Sequence, residues 1–267
     1  MNTLSVVITT LNEEANICHA VSAARGISDD VWVIDSGSND STIPLAMACG
    51  AQVITRKFDD MATQRNAALS DPRVLGDYVL FLDADEVVTP TFGVALTQLL
   101  QRKLGPRIDG VRICRQFHFW GKWIRSASGY PRFVDRVVRR GVVTFCKEAH
   151  GEVFVGGSNF ESLPVPLRDE DRKPVFAWFE RHNAYAAAEA KSILEGRARK
   201  EWRLQIRDVA RRRTIVWPLA SLAYYLVARG GMFEGPAGWT YCSMKSVYEF
   251  MVCVHLRDGQ RGSNLIS

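Results

Sequence analysis

Three features of this sequence predict an α/β fold: a doubly wound, mostly parallel sheet carrying a helical C-terminal extension. Short apolar runs alternate with helix-length amphipathic segments over the first hundred residues. Three of those runs end in acidic or small polar residues, at Thr9-Thr10, Asp35 and Asp83. Beyond the Pro-punctuated connection Pro164, Pro166 and Pro174, the pattern becomes helical to the end. The division this suggests is residues 1–170 for an α/β domain and 171–267 for a helical C-terminal region.

Leu4 to Thr9 reads as the first strand, closed by Thr10-Leu11-Asn12-Glu13, whose small polar residues suit the cap of a helix from Glu14 to about Arg25. Val31 to Ile34 is a second buried strand, followed by Asp35-Ser36-Gly37-Ser38-Asn39-Asp40. That loop is Gly/Ser-rich but lacks the G-x-G-x-x-G spacing of a dinucleotide site. A short strand at Gln52-Val53-Ile54 and a helix from Asp60 to Leu69 lead to Tyr78-Val79-Leu80-Phe81-Leu82. This is a strand covered on both faces, which runs into Asp83-Ala84-Asp85-Glu86. In an open α/β sheet ligands bind at the carboxyl ends of the strands, and two carboxylates one residue apart offer hard oxygen ligands to Mg²⁺ or Mn²⁺. Thr89-Pro90 opens the next helix as N-cap and first residue.

Gly110 to Phe119 reads as a strand. From Phe117 to Tyr130 the chain is aromatic and basic, which suits either a partly buried hairpin or an aromatic floor for a sugar or an acceptor's headgroup. Arg132 to Arg140 is another strand and turn. The polar cluster Cys146-Lys147-Glu148-Ala149-His150-Gly151-Glu152 follows between apolar strands.

Composition is that of a globular chain, with 47% hydrophobic and 24% charged residues. Charge is unevenly placed: residues 1–110 hold 8 Lys and Arg against 14 Asp and Glu, a net of −6, leaving +11 for the remainder. The six cysteines form no Cys-x-x-Cys pair, so a zinc site is disfavoured and they read as reduced, packed thiols. No charged, apolar leader precedes the first strand, and the expected location is cytoplasmic.

The ordered trio Thr9-Thr10-Leu11-Asn12-Glu13, Asp35-Ser36-Gly37-Ser38-Asn39-Asp40 and Asp83-Ala84-Asp85-Glu86 resembles the nucleotide-sugar half of a family 2 glycosyltransferase with the GT-A fold. Phe58-Asp59-Asp60-Met61-Ala62-Thr63-Gln64-Arg65-Asn66 is similar to that family's Arg-Asn helix start. Ala149-His150-Gly151, Arg181-His182-Asn183-Ala184-Tyr185 with Glu189-Ala190, and Gly231 to Gly238 resemble a subgroup acting on lipopolysaccharide core and lipid-linked exopolysaccharide. The resemblance implies transfer of a sugar, with inversion, from a nucleoside diphosphate donor, expected to be UDP-linked, to a lipid-linked or lipopolysaccharide acceptor, with Mg²⁺ or Mn²⁺ as cofactor. Carried onto this chain, it gives Thr10, Asn12, Glu13, Asp35, Arg65, Asn66 and Asp83 to the donor, and Asp85 with Asp83 to the metal. Where relatives have His-Glu this chain has His150-Gly151, so the base expected to take the acceptor's proton is Glu148, with His150 and Glu152 behind it and Asp135 as a further candidate whose simpler reading is a strand-edge ion pair.

A sugar nucleotidyltransferase is the enzymatic alternative, but it calls for a Gly-rich, basic loop after the first strand, where this chain has Asn12-Glu13-Glu14. A non-catalytic membrane scaffold of the same fold is a second alternative. Nucleic acid is not expected as a partner, because the basic residues lie beside an apolar helical segment. Between Arg197 and Arg213 stand eight basic residues against two acids, followed by the uncharged run Thr214 to Ala228. At fifteen residues that run is shorter than the ~20 a span needs, so the expectation is a peripheral position on the inner face of the cell membrane.

Overall fold

The computed structural model describes residues 2–102, 107–148, 151–196, 202–213 and 216–264. The chain forms two units, residues 1–123 with 130–172, and residues 124–129 with 173–267. The first runs β1 (Leu4–Thr10), α1 (Ile17–Arg25), β2 (Asp30–Asp35), α2 (Thr42–Ala48), β3 (Gln52–Thr55), α3 (Met61–Ser70), β4 (Tyr78–Asp83), β5 (Glu86–Val87) and α4 (Pro90–Leu100). It continues through β6 (Gly110–Phe119), β7 (Lys122–Trp123), β8 (Arg132–Arg139), β9 (Thr144–Glu148), β10 (Gly151–Val155) and β11 (Phe160–Asp169). Sheet order among the described residues is β3-β2-β1-β4-β8-β6-β11-β5, with β7 paired to β6 and β9-β10 a separate hairpin.

β3, β2, β1 and β4 are mutually parallel, and β8 enters antiparallel between β4 and β6. Period-2 alternation fills both faces of the central strands. Val6, Ile8, Leu80 and Leu82 face one core cluster, while Val7, Val79 and Phe81 face the other. Because β4 and β6 both run antiparallel to β8, they point the same way. Asp83 and Phe119 therefore end their strands at the same edge of the sheet. Asp60 caps α3 by accepting from the Thr63 amide at 2.9 Å, and Thr89 caps α4, with Pro90 in its first turn.

Three expectations are corrected here. The helix expected from Glu14 begins at Ile17, because Asn12 takes a left-handed φ of 54° and the chain turns between Glu13 and Asn16 before the helix can start. Cys18 on α1 and Cys49 at the end of α2 form a disulfide, with Cα atoms 5.8 Å apart, instead of two reduced thiols. The two helices are neighbours over the sheet, so residues 31 apart in sequence meet. Residues 124–129, expected with the first domain, cluster with the helices: Glu234 accepts from the amides of Ser126 at 2.6 Å and Ala127 at 3.4 Å.

The second unit comprises α5 (Val175–Leu194), α6 (Trp202–Arg213), α7 (Trp217–Ala223), a π-helical turn at Tyr224–Ala228, a 3₁₀ turn at Gly231–Glu234 and α8 (Gly235–Asn264). Among its described residues no helix is long and apolar enough to cross a membrane. Its centre is ionic. Buried Arg211 grips Glu249 through Nε (2.6 Å) and a terminal nitrogen (2.7 Å), and reaches Glu189 at 2.9 Å. Tyr248 and Arg207 close on the same Glu189, and Trp217 donates to Glu249 at 2.7 Å. This corrects the reading of the basic run as a headgroup-facing surface at Arg207 and Arg211, whose charges are satisfied by internal carboxylates. Arg197, Arg199 and Lys200 lie outside the described residues.

Candidate active site

The loops after β1 and β2 are stitched together at the carboxyl edge. Asn12 donates its amide to Ser38 Oγ at 2.8 Å and accepts from Asn39 N at 2.9 Å. The Glu13 amide reaches Thr42 Oγ1 at 2.7 Å, and the Glu13 carboxylate accepts from Asn16 Nδ2 at 2.7 Å. Asp35, fully buried at the end of β2, folds its own loop by accepting from Gly37 N and Ser38 N, each at 2.8 Å, and from Ser38 Oγ. Gly37 sits at φ 101°, which a side chain rarely adopts, so the turn depends on glycine there. Thr10 lies level with Asp35 across the β1–β2 ladder, and its hydroxyl oxygen is buried without a hydrogen-bond partner among the described residues. A buried polar atom of that kind is where a ligand's donor or acceptor fits.

One strand over, the acids of β4 enter a dense ionic network. Asp83 is held by Arg136 at 2.5 Å, by Arg65 at 3.3 Å and by Arg115 at 3.7 Å. Fully buried Glu86 accepts from the Asp83 amide (3.0 Å), Arg136 (2.9 Å) and Arg115 (3.1 Å). Arg115 also reaches Asp169, at the end of β11, at 3.6 Å. Glu152 on β10 is ion-paired with Arg65 and lies 3.9 Å from Arg136. Arg65 itself is buried against the rings of Phe81 and Phe145, its guanidinium carbon 5.6 and 5.4 Å from their centroids.

Burial opposes the charge on Asp83, but the Arg136, Arg65 and Arg115 guanidiniums outweigh it and bring the carboxyl down to about 2. Burial and the Arg136 charge bring Arg65 down to about 10, against the pull of Asp83 and Glu152. Asp169 is lifted to about 6 by burial, with Glu86 and Asp83 adding to it and Arg115 opposing. Asp85 stands apart. Burial, then Asp169, Asp83, Glu86 and Glu13, push its carboxyl well above the ordinary range, and no donor or cation among the described residues reaches it.

The chemistry of this set fits a divalent cation. Five carboxylates (Asp83, Asp85, Glu86, Glu152, Asp169) against three guanidiniums (Arg65, Arg115, Arg136) leave two negative charges when all are ionised. The uncompensated carboxylate is the one at the loop, where Mg²⁺ or Mn²⁺ can take oxygen ligands from Asp85 and from a nucleotide's phosphates.

Of the residues singled out from sequence, Arg65, Asp83, Asp85 and Glu152 meet in this network, and Thr10, Asn12, Glu13 and Asp35 form the adjoining loops. Asn66 is engaged elsewhere: its amide both donates to Phe145 O and accepts from Phe145 N, each at 2.8 Å, pinning α3 to β9. Glu148 ends β9, opposite Gly151, and His150 lies outside the described residues. Asp135 is the strand-edge ion pair, 3.0 Å from Arg112 and accepting from Phe154 N at 3.0 Å. Sequence reading missed Glu86, Arg115, Arg136 and Asp169. Asp169 was hidden by Pro164 and Pro166, which read as a connection although they lie within β11. The two arginines are visible only once β8 and β6 are placed beside β4.

An uncharacterized glycosyltransferase of Rickettsia typhi is 38% identical over 86 residues, 32% of this chain and 29% of that protein. The glucosyl-3-phosphoglycerate synthase of Mycolicibacterium smegmatis is 30% identical over 128 residues, 43% of this chain and 40% of its own. The chain thus spans less than half the length of these curated relatives. Glucosyl-3-phosphoglycerate synthase from Mycobacterium tuberculosis, in a crystal structure with Mg²⁺ and UDP, aligns at 21% identity and TM-score 0.37, covering 53% of this chain and 59% of that one. The model of Glycosyl transferase family 2 matches residues 5–147, from β1 through the strand-end acids to β9, and the chain belongs to that family.

Proposed function

We propose that this protein is an inverting glycosyltransferase that moves a sugar from a UDP-sugar donor to a saccharide acceptor, lipid-linked or part of lipopolysaccharide, in building cell-surface polysaccharide. The observation that carries the reading is Asp85, a strand-end carboxylate with no cation of its own among the described residues, beside an Asp83 already held by arginines. The orphaned Thr10 hydroxyl level with Asp35 supports a nucleoside site on the adjoining loops, with Asn12 and Glu13 fixing their shape.

In the reaction, the acceptor hydroxyl oxygen bonds to the anomeric carbon as the bond to the diphosphate breaks. UDP departs with the bonding electrons, and a base on the far side takes the hydroxyl proton. Bound Mg²⁺ or Mn²⁺ supplies neutralisation of the leaving diphosphate's growing charge. Asp85 would hold the cation, while Asp83, kept ionised by Arg136 and Arg65, would orient ribose and cation. Glu148 is the proposed base, with His150 as an alternative, because Glu152 has an oxygen committed to Arg65.

Peripheral attachment to the inner face of the cell membrane belongs to the same reading. It rests on the exposed Leu219, Val227, Phe233 and Trp239 of the helical unit and on the basic excess of the sequence between Arg197 and Arg213, Arg207 and Arg211 apart. Flotation with anionic vesicles tests it, and a chain that stays with the dense fraction would remove the attachment. A panel of nucleotide-sugars with Mn²⁺, read as UDP or other nucleoside diphosphate release, tests the donor. The acceptors offered should include 3-phosphoglycerate, which the name of the mycobacterial relative suggests. Release from no nucleotide-sugar under any metal would refute the proposal.

A further inference from the structure

We infer that the tip of the β6–β7 hairpin is a saccharide-binding platform, with the Phe119–Trp120 ring pair stacking on a pyranose of the acceptor. This rests on the proposed transfer to a saccharide and names a subsite for it.

The turn itself points to a selected residue. His118 pairs with Trp123 and Phe119 with Lys122, which leaves Trp120-Gly121 as a two-residue turn with φ of 51° and 72°. Both values are left-handed, the geometry of a type I′ hairpin, where Asn-Gly is the comfortable pair. Gly121 meets it freely. Trp120 does not, because a bulky side chain at positive φ crowds its own backbone. Strain at such a residue persists where the side chain has a task.

The side chain gains no burial in return: Trp120 is 64% exposed. Its ring instead stacks on Phe119, centroids 4.6 Å apart and planes 25° from parallel, so Phe119 backs the indole and the outer indole face stands open at the sheet's carboxyl edge. The chemistry of that surface, an apolar face with the indole N–H at its rim and the exposed Lys122 across the strand, matches a sugar ring, whose C–H face is apolar and whose edge carries hydroxyls.

Register sets where the platform lies. Alternate residues share one face of a strand, so Arg115, Phe117 and Phe119 project to the same side of β6. Arg115 is the residue that enters the acid network, at 3.1 Å from Glu86 and 3.7 Å from Asp83. Four residues of strand separate the Arg115 and Phe119 backbones by roughly 13 Å. The platform is thus on the reacting side of the sheet, within the reach of a saccharide of two or three rings whose end lies at Asp85.

Saturation-transfer NMR with cellobiose, lactose, chitobiose and maltotriose as probes tests this on the full chain, comparing the parent with Trp120→Ala and Trp120→Phe. At least one probe is expected to receive saturation on its pyranose C–H protons in the parent. The Trp120→Ala variant, checked for an unchanged thermal transition, is expected to bind it about tenfold more weakly, the scale of one stacking contact, with Trp120→Phe recovering most of the loss. If no probe binds, if the bound probe is indifferent to Trp120→Ala, or if Trp120→Ala instead loses vesicle flotation, the platform is refuted. Binding of UDP with Mn²⁺, measured on the same samples, separates that failure from failure of the donor site.

Discussion

Removing Arg136 is expected to destabilise the first unit strongly, because this residue completes the ion network beneath the strand-end acids. Its side chain is 4% exposed and touches Asp83 at 2.5 Å and Glu86 at 2.9 Å. In Arg136→Met both carboxylates lose that partner, and Glu86 has no exposure through which water could replace it. Breaking a buried pair costs about 3–5 kcal/mol. Arg115 stays on Glu86 and Arg65 stays on Asp83, so the lower end, about 3 kcal/mol, applies here. At roughly 2–4 °C per kcal/mol for a unit of this size, the midpoint should fall by about 6–12 °C. The loss should depend on pH with a definite sign. Asp83 is depressed from 3.8 to about 2, so its contribution is present at neutral pH and fades as pH falls through that interval. The Arg136→Met penalty should therefore shrink in acid. Urea unfolding at pH 7 and at pH 3 measures both effects, and the double variant with Glu86→Gln should lose less than the sum of the single variants. A penalty under about 1 kcal/mol at pH 7 would show that the network is not what holds these acids in place.

Other expectations follow from separate parts of the chain. Glu148→Gln should lower turnover by about a hundredfold while leaving UDP affinity nearly unchanged, the pattern of a base; a dead Glu152→Gln beside an active Glu148→Gln would reassign the role. In the helical unit, burial opposes the charge on Glu189, but Arg211 and the Tyr248 hydroxyl outweigh it and bring the carboxyl from 4.5 to about 2. Its stabilisation, on the order of 3 kcal/mol, should be present above pH 4.5 and lost between 4.5 and about 2. Acid titration of Glu189→Gln should lack that loss. Thiol titration of unfolded, unreduced protein should count four cysteines, Cys114, Cys146, Cys242 and Cys253, rising to six after reduction; six before reduction would contradict the Cys18–Cys49 bond.

β4 and the acids at its end were legible because their signal is local: five apolar residues and a polar stop are enough to mark a buried strand and its end. β6 was read with its observed ends for the same reason. α2 was not, because Ser41-Thr42-Ile43-Pro44 follows a Gly/Ser-rich loop and looks like its continuation, yet Pro44 is tolerated in the first turn of a helix. The polar stretch around Glu148 and Glu152 proved to be a hairpin whose register sets Glu152 opposite Lys147. The arginines that hold Asp83 come from positions 65, 115 and 136, brought together by strand order alone. No periodicity in the sequence encodes which strands become neighbours. The Cys18–Cys49 bond and the committed amide of Asn66 are of the same kind, consequences of contacts between distant segments.

Calorimetric titration of UDP into the full chain with Mn²⁺, set against the same titration with chelator and against Asp85→Asn, tests the metal–nucleotide site at its root. Parent protein with Mn²⁺ is expected to bind UDP, and both chelation and Asp85→Asn are expected to weaken it by about a hundredfold or more, while Asp85→Asn unfolds at or above the parent's temperature because a strained carboxylate has been removed. Equal UDP affinity in parent and Asp85→Asn, with or without Mn²⁺, would contradict the assignment of this strand end as the donor's cation site.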